Sequence, residues 1–251
     1  MGLSLFRGLF KKKTGLSDKE KFDGAMIVAH EIAEKNPHDL HSLIKVFARK
    51  IQYDYFSEFV KLAGVYPDDS KILKLNYQNL WINPYQIQDS EEASSWLSSE
   101  MENLKKLDGE IELCLNNDIV WPWPWRKQRF VDCLTMIGKD RVAGEWKQDK
   151  INHHAVSWEP LGVSFVGGGN HSITAGILKG EGRFTSEYVF DLGRIYERLS
   201  CDGEYYFYQG KRISKVLEIN FAIIFEIGRL LSERGIFYWS LDKTLAEMKD
   251  N

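Results

Sequence analysis

VSFVGGGNHSITAGI, running from Val163 to Ile177, passes from alternating apolar residues through three glycines into a short apolar-periodic segment. The alternation predicts a strand, the later spacing predicts a helix, and Gly-Asn-His-Ser forms the corner between them. At a helix start the backbone N–H groups point outward without partners, at the positive end of the dipole, and favour an anion. Glycine removes the side chains that would block close approach. Asn170 or Ser172 is expected to cap the helix, while His171 and Ser172 supply donors for phosphate oxygens. On this reading Gly167, Gly168, Gly169, Asn170, His171 and Ser172 form a phosphate or nucleotide pocket. The same residues also read as a capped helix after a glycine turn, with His171 hydrogen-bonded for structural reasons.

Upstream lies WPWPWRKQR, residues 121–129. Each proline forces the preceding Trp into extended geometry, and strand spacing puts Trp121, Trp123 and Trp125 on one face. Arg126, Lys127 and Arg129 follow at once. An aromatic rail beside guanidinium groups suits a stacked base and its phosphates. The alternative is that the Trp residues cement a sheet to a helical layer while the basic residues are solvated.

The flanks read as helices. Ser17 with Glu20 makes a capping box, and Phe22, Met26, Ala29, Ile32 and Ala33 repeat at helical spacing up to Asn36-Pro37. Further stripes run through Leu40 to Val60, Ile72 to Trp81, and Ala93 to Leu104. After Asp108-Gly109 come short alternating pieces (EIELCL, GVSFV, EYVFDL, EYYFYQ), with tight turns at Asp202-Gly203 and Gln209-Gly210. One helix is expected between them, over Arg126 to Ile137, stopping at Gly138. From Lys215 onward Val216, Ile219, Ile223, Ile227 and Leu230 share a helical face, and Leu241, Leu245 and Met248 mark a short amphipathic tail. The expected division is a basic tail over 1–16, a helical region over 17–108, an α/β core over 109–214 and C-terminal helices over 215–251.

The chain has 251 residues, 43% hydrophobic and 27% charged, which is ordinary for a globular protein with a sizeable core. A net charge of −3 gives no global attraction to nucleic acid and leaves a local basic site open. Cys114, Cys133 and Cys201 are odd in number and widely spaced, which argues against a disulfide framework or a Cys-rich zinc site and for a reducing, cytoplasmic location. No apolar run reaches the roughly 20 residues of a membrane span; the densest, FAIIFEIGRLL, is interrupted by Glu226 and Arg229. At the N-terminus Leu3, Phe6, Leu9 and Phe10 share a face beside Arg7 and Lys11 to Lys13. That pattern reads either as a peripheral anchor on an anionic membrane or partner surface, or as a tail docked on the body.

His153 and His154 sit in DKINHHAVSWE, and adjacent residues in extended chain point in opposite directions, so one of them can share a site with His171. With Asp149 or Asp202 the histidines offer a divalent-metal site, hence a metal-dependent nuclease built on His153, His154 and His171. General acid or base roles fall to His154 or His171.

The order of WPWPWRKQRFVDCLTMIG and WEPLGVSFVGGGNHSITAGI is a proline-rich strand ending in Arg, a helix, a second strand, and a glycine corner opening a helix. It resembles the ParB/sulfiredoxin-like superfamily over residues 119–180, in which the corner cradles the phosphates of CTP or ATP. Asn170 stands where sulfiredoxins have cysteine, Ser172 where both branches have arginine, and His171 matches the sulfiredoxin pattern. As a whole the chain resembles an uncharacterised bacterial family carrying the WPW and GNHS signatures. The resemblance implies an α+β fold: a small mixed sheet of ParB/sulfiredoxin-like type flanked by N-terminal and C-terminal helices. The expected ligand at the corner is a nucleotide or another phosphate-bearing group, with Arg126 and Arg129 on the phosphates and a Trp of the rail, Trp125, against the base. If the protein is an enzyme, hydrolysis or phosphoryl transfer of a nucleoside triphosphate, with Mg²⁺ bridging its phosphates, is the expected chemistry. The alternative from another class is a non-catalytic module that engages a protein or nucleic-acid partner.

Overall fold

A computed structural model describes residues 15–63, 87, 90–107, 109–186 and 188–239. The helical start is α1 (Asp18–Lys35), a 3₁₀ turn at Pro37–Asp39, α2 (Leu40–Lys61) and α3 (Glu91–Glu102). Then come β1 (Lys105–Leu107), β2 (Ile111–Cys114), β3 (Ile119–Trp121), α4 (Lys127–Met136), β4 (His154–Glu159), β5 (Val163–Gly168) and α5 (Asn170–Lys179). The chain continues through β6 (Arg183–Ser186), β7 (Tyr188–Asp191), the four-residue α6 (Gly193–Tyr196), β8 (Leu199–Cys201), β9 (Tyr205–Tyr208) and β10 (Lys211–Lys215) to α7 (Ile219–Ser232). Among the described residues no helix is long and apolar enough to cross a membrane.

The central sheet is mixed, in the order β1-β7-β4-β5-β3. β1 and β7 are antiparallel, β7 and β4 parallel, β4 and β5 antiparallel, and β5 and β3 parallel. A three-stranded meander β10-β9-β8 and a β2-β6 pair complete the α+β architecture. Both expected hairpin turns are present; Gln209 and Gly210 adopt positive φ of 48° and 79° at the second.

The capping box is formed at α1: the Ser17 side chain accepts from the Glu20 N–H, and the Glu20 carboxylate reaches back to the Ser17 N–H. α1 ends at Asn36, before Pro37. Two boundaries differ from expectation. β1 lies within the stretch read as purely helical, too short to show an alternation, and β10 runs on through Lys215. Val216 therefore precedes the last helix, which starts at Ile219 with the Glu218 carboxylate accepting from the Phe221 N–H. The 1–14 tail, the 72–81 stripe and the 241–248 tail lie outside the described residues.

α7 is buried on almost every side, from Phe221 through Leu231, and packs on both α1 and α2. α1, α2 and α7 thus pack together as one helical layer. Inside that layer Glu226 is buried, accepts from the Cys201 N–H and pairs with Arg229. Burial raises its pKa, an effect that Arg229 offsets. α2 in turn holds the sheet edge: Gln52 donates to the Val120 carbonyl, the Trp121 indole donates to the Ala48 carbonyl at 3.1 Å, and Tyr55 donates to Pro124.

Gly228 reports how tightly α7 is set. A Cβ there would fall on Leu161 and on the Tyr196 hydroxyl. Gly228→Ala adds about 1 kcal/mol of helix propensity, yet overpacking costs about 1–3 kcal/mol, so urea denaturation should show a net loss of stability. A higher melting temperature would contradict this packing.

Candidate functional site at the glycine corner

The corner forms where β5 delivers the chain to α5, parallel to β3 and antiparallel to β4. Gly169 is the N-cap, left-handed at φ 74°, and no side chain caps the helix. The expected caps do other work. Asn170 Oδ1 accepts from the Trp123 N–H at 2.6 Å, and the Ser172 hydroxyl donates to the Gly169 carbonyl at 3.0 Å. The reason is tertiary: a strand segment 47 residues upstream passes within reach and claims the amide first.

The glycines answer to the chain itself. A Cβ on Gly168 would strike the Asn152 carbonyl, and one on Gly169 would strike the His153 ring. The space left by the missing side chains is thus filled by the loop before β4. Gly167 has nothing closer than the His154 carbonyl at 4.0 Å.

Two histidines hold the corner in opposite ways. His171 Nε2 accepts from the Arg126 N–H at 3.1 Å and the Trp125 N–H at 3.3 Å. A nitrogen that accepts carries no proton, so the neutral ring holds its proton on Nδ1, which has no hydrogen-bond partner among the described residues. Burial, and then the Arg129 and Arg126 charges, lower the His171 pKa. His153 has the other tautomer. Its Nδ1 accepts from the Asp149 N–H at 2.9 Å, so Nε2–H donates to Ser172 Oγ at 2.7 Å. Its ring stacks on Trp146 at 4.8 Å and 16°, and burial lowers its pKa too. Trp146 closes this side by donating to the Ser172 carbonyl at 2.7 Å.

Of the two adjacent histidines, then, it is His153 that meets the corner. His154 is exposed and Nε2 bonds the Ile151 carbonyl at 2.9 Å, away from His171. Asp202 lies in the β8–β9 turn, accepting from Glu204 and Tyr205. Among the described residues no group of three His, Cys, Asp or Glu side chains could hold a metal ion. His153, with Trp146 and Asp149, is the part of the corner underrated from sequence. The period-two rule restricted the choice to one of the pair without saying which.

The three tryptophans are not equivalent. Trp121 is 1% exposed and Trp123 9%, set against Phe165 and Tyr55, whereas Trp125 is 51% exposed. The Trp125 ring tilts over His171, with centroids 4.7 Å apart. Arg126 and Arg129 are exposed and have no carboxylate partner among the described residues. The structure therefore gathers Trp125, Arg126 and His171 on the outer side of the corner, with Arg129 in the first turn of α4. His154 stays outside this group.

The molecule is an α+β protein in which a glycine corner fastens an aromatic, cationic segment to the central sheet. The chain belongs to a family of unknown function, DUF6710, whose profile matches residues 8–237. No curated protein and no solved structure matches it.

Both ring acceptors set a pH dependence. The folded pKa values of His153 and His171 lie below the ordinary 6.5. The stability they add is complete above about pH 6.5 and is lost as pH falls through the lowered folded values. Buried His41, also lowered, adds to the same window. Urea midpoints should be level above neutrality and fall on acidification. His171→Ala should cost about 0.5–1.5 kcal/mol at pH 8 and reduce that slope. An unchanged slope would show that its ring is not an acceptor.

Proposed function

We propose that this protein binds a phosphate-bearing ligand with a planar base, a nucleotide in the simplest case, on the outer side of the corner. The observation that carries the reading is the Trp125 ring, left half exposed against His171 and followed in the chain by Arg126 and Arg129, which have no carboxylate partner among the described residues. Buried tryptophans explain themselves by packing; this one spends its apolar surface in water. Arg126 and Arg129 supply charge for phosphate oxygens, and the His171 Nδ1–H supplies a neutral donor fixed by the two bonds at Nε2. The likeness of residues 119–180 to the ParB/sulfiredoxin-like superfamily supports a nucleotide. The glycines contribute by letting Asn152 and His153 close in, rather than by opening a cradle.

The reading favours binding over chemistry. His171 has its lone pair occupied, and His154 lies outside the group. Magnesium would enter on the ligand's phosphates, so the proposal assigns it no protein ligands. Three free cysteines, Cys114, Cys133 and Cys201, fit a reducing compartment, and the cytoplasm is part of the proposal.

Titration calorimetry with ATP and CTP, with and without Mg²⁺, tests this. Arg126→Ala with Arg129→Ala should weaken binding about ten- to hundredfold, as expected for lost charge-assisted bonds. Trp125→Ala should remove a stacking contribution of about 1–3 kcal/mol, and neither change should lower the melting temperature appreciably. Binding that ignores all three residues would overturn the site.

A further inference from the structure

The surroundings of the corner point to the size of the ligand. α4 packs along α5, and Lys179, in the last turn of α5, donates to the Ile137 carbonyl at the end of α4. The chain then turns at Gly138, where the Lys139 N–H meets Glu181, and returns to the start of α5 through Trp146 and His153. His171 faces the beginning of α4, and Ser172, one stripe round the helix, faces this returning segment.

Both flanks are cationic and open. Arg126, Lys127 and Arg129 are exposed at the start of α4. Lys139, Arg141, Lys147 and Lys150 are exposed along the return. Within 126–151 these seven cations face four carboxylates, Asp132, Asp140, Glu145 and Asp149, in a chain whose net charge is −3. Asp132 accepts from Gln128, and Asp149 accepts from the Ile151 N–H, so two of the four are engaged locally. Lys147 borders an open cleft of about 590 Å³ that also includes Trp146, Gln148, Asn116 and Arg183. Exposed positive charge thus continues from the start of α4 along the return to Lys150.

We propose that the ligand is a single-stranded nucleic acid, which stacks a base on Trp125 and lays its backbone across the N-terminal end of α5 toward Lys147 and Lys150. This rests on the nucleotide reading above and narrows it. A ring half in water suits an unstacked base, which a duplex does not offer, and a run of cations suits successive phosphates. His171 adds a donor at the point where base and backbone meet.

The test uses the full chain and fluorescein-labelled oligouridylate and oligodeoxythymidylate of about twelve nucleotides, within the usual site sizes. UMP and UTP serve as competitors, and a duplex of equal length as a second probe. The strand should bind at least about tenfold more tightly than either mononucleotide. Its affinity should fall with a log–log salt slope of about −2 to −3, as three or four phosphate contacts require. Lys147→Glu with Lys150→Glu should abolish that surplus while leaving UTP affinity within about twofold, and Trp125→Ala should weaken both ligands. Equal affinity for strand and UTP, a surplus indifferent to Lys147 and Lys150, or equally tight duplex binding would overturn the single-strand inference and leave the nucleotide site standing. Failure of strand and mononucleotide alike would remove both.

Discussion

Acceptance of backbone N–H groups by the side chains of Asn170 and His171 is the interaction on which this structure turns. The β3–β5 ladder ends at Trp121, opposite Phe165, so the N–H groups of Trp123, Trp125 and Arg126 lie beyond it. Asn170 takes the first of these N–H groups and His171 the other two. From below, Tyr55 of α2 bonds the Pro124 carbonyl. Two prolines make this economical, because Pro122 and Pro124 have no N–H to satisfy. The alternating prolines and the Asn-His pair are therefore one device, split between two places in the chain. Its output is an extended segment held rigidly enough to fix Trp123 inward and Trp125 outward.

The second half of the corner works by the same logic in reverse. His153 accepts at Nδ1 and donates at Nε2, and Ser172 passes the bond on to the Gly169 carbonyl. A left-handed N-cap at Gly169 and the absence of side chains at Gly168 and Gly169 let that loop approach so closely. One helix N-terminus thus gathers three distant segments, and its two histidines are needed in their neutral forms. Acidification therefore weakens this junction, in the same window as buried His41.

Much of this architecture is legible in the sequence. The capping box at Ser17 and Glu20, the turns at Asp202-Gly203 and Gln209-Gly210, and the strand–corner–helix at 163–177 are local, and local chemistry decides them. The central burial of α7 is foreshadowed by FAIIFEIGRLL, whose Glu226 finds Arg229 one turn away. What the sequence hides is set by long-range approach. β1 has three residues and gains its identity only from β7. The sheet order needs crossovers that no periodicity encodes. Asn170 and Ser172 look like helix caps because both residue types favour that position; the approach of Trp123 and of His153 redirects them. Whether a histidine donates or accepts at a given ring nitrogen is likewise decided by what comes to it, and nothing in the sequence announces that Trp125 and Arg126 occupy His171 Nε2.

The account predicts opposite tautomers for two histidines in one corner, and long-range ¹H–¹⁵N correlation of the imidazole rings reads tautomers directly. At pH 7.5, with assignments from His153→Gln and His171→Gln, His171 should appear as the neutral Nδ1–H form and His153 as the neutral Nε2–H form. A His171 protonated at Nε2, as tautomer or as imidazolium, would contradict the clamp and with it the placement of Trp125.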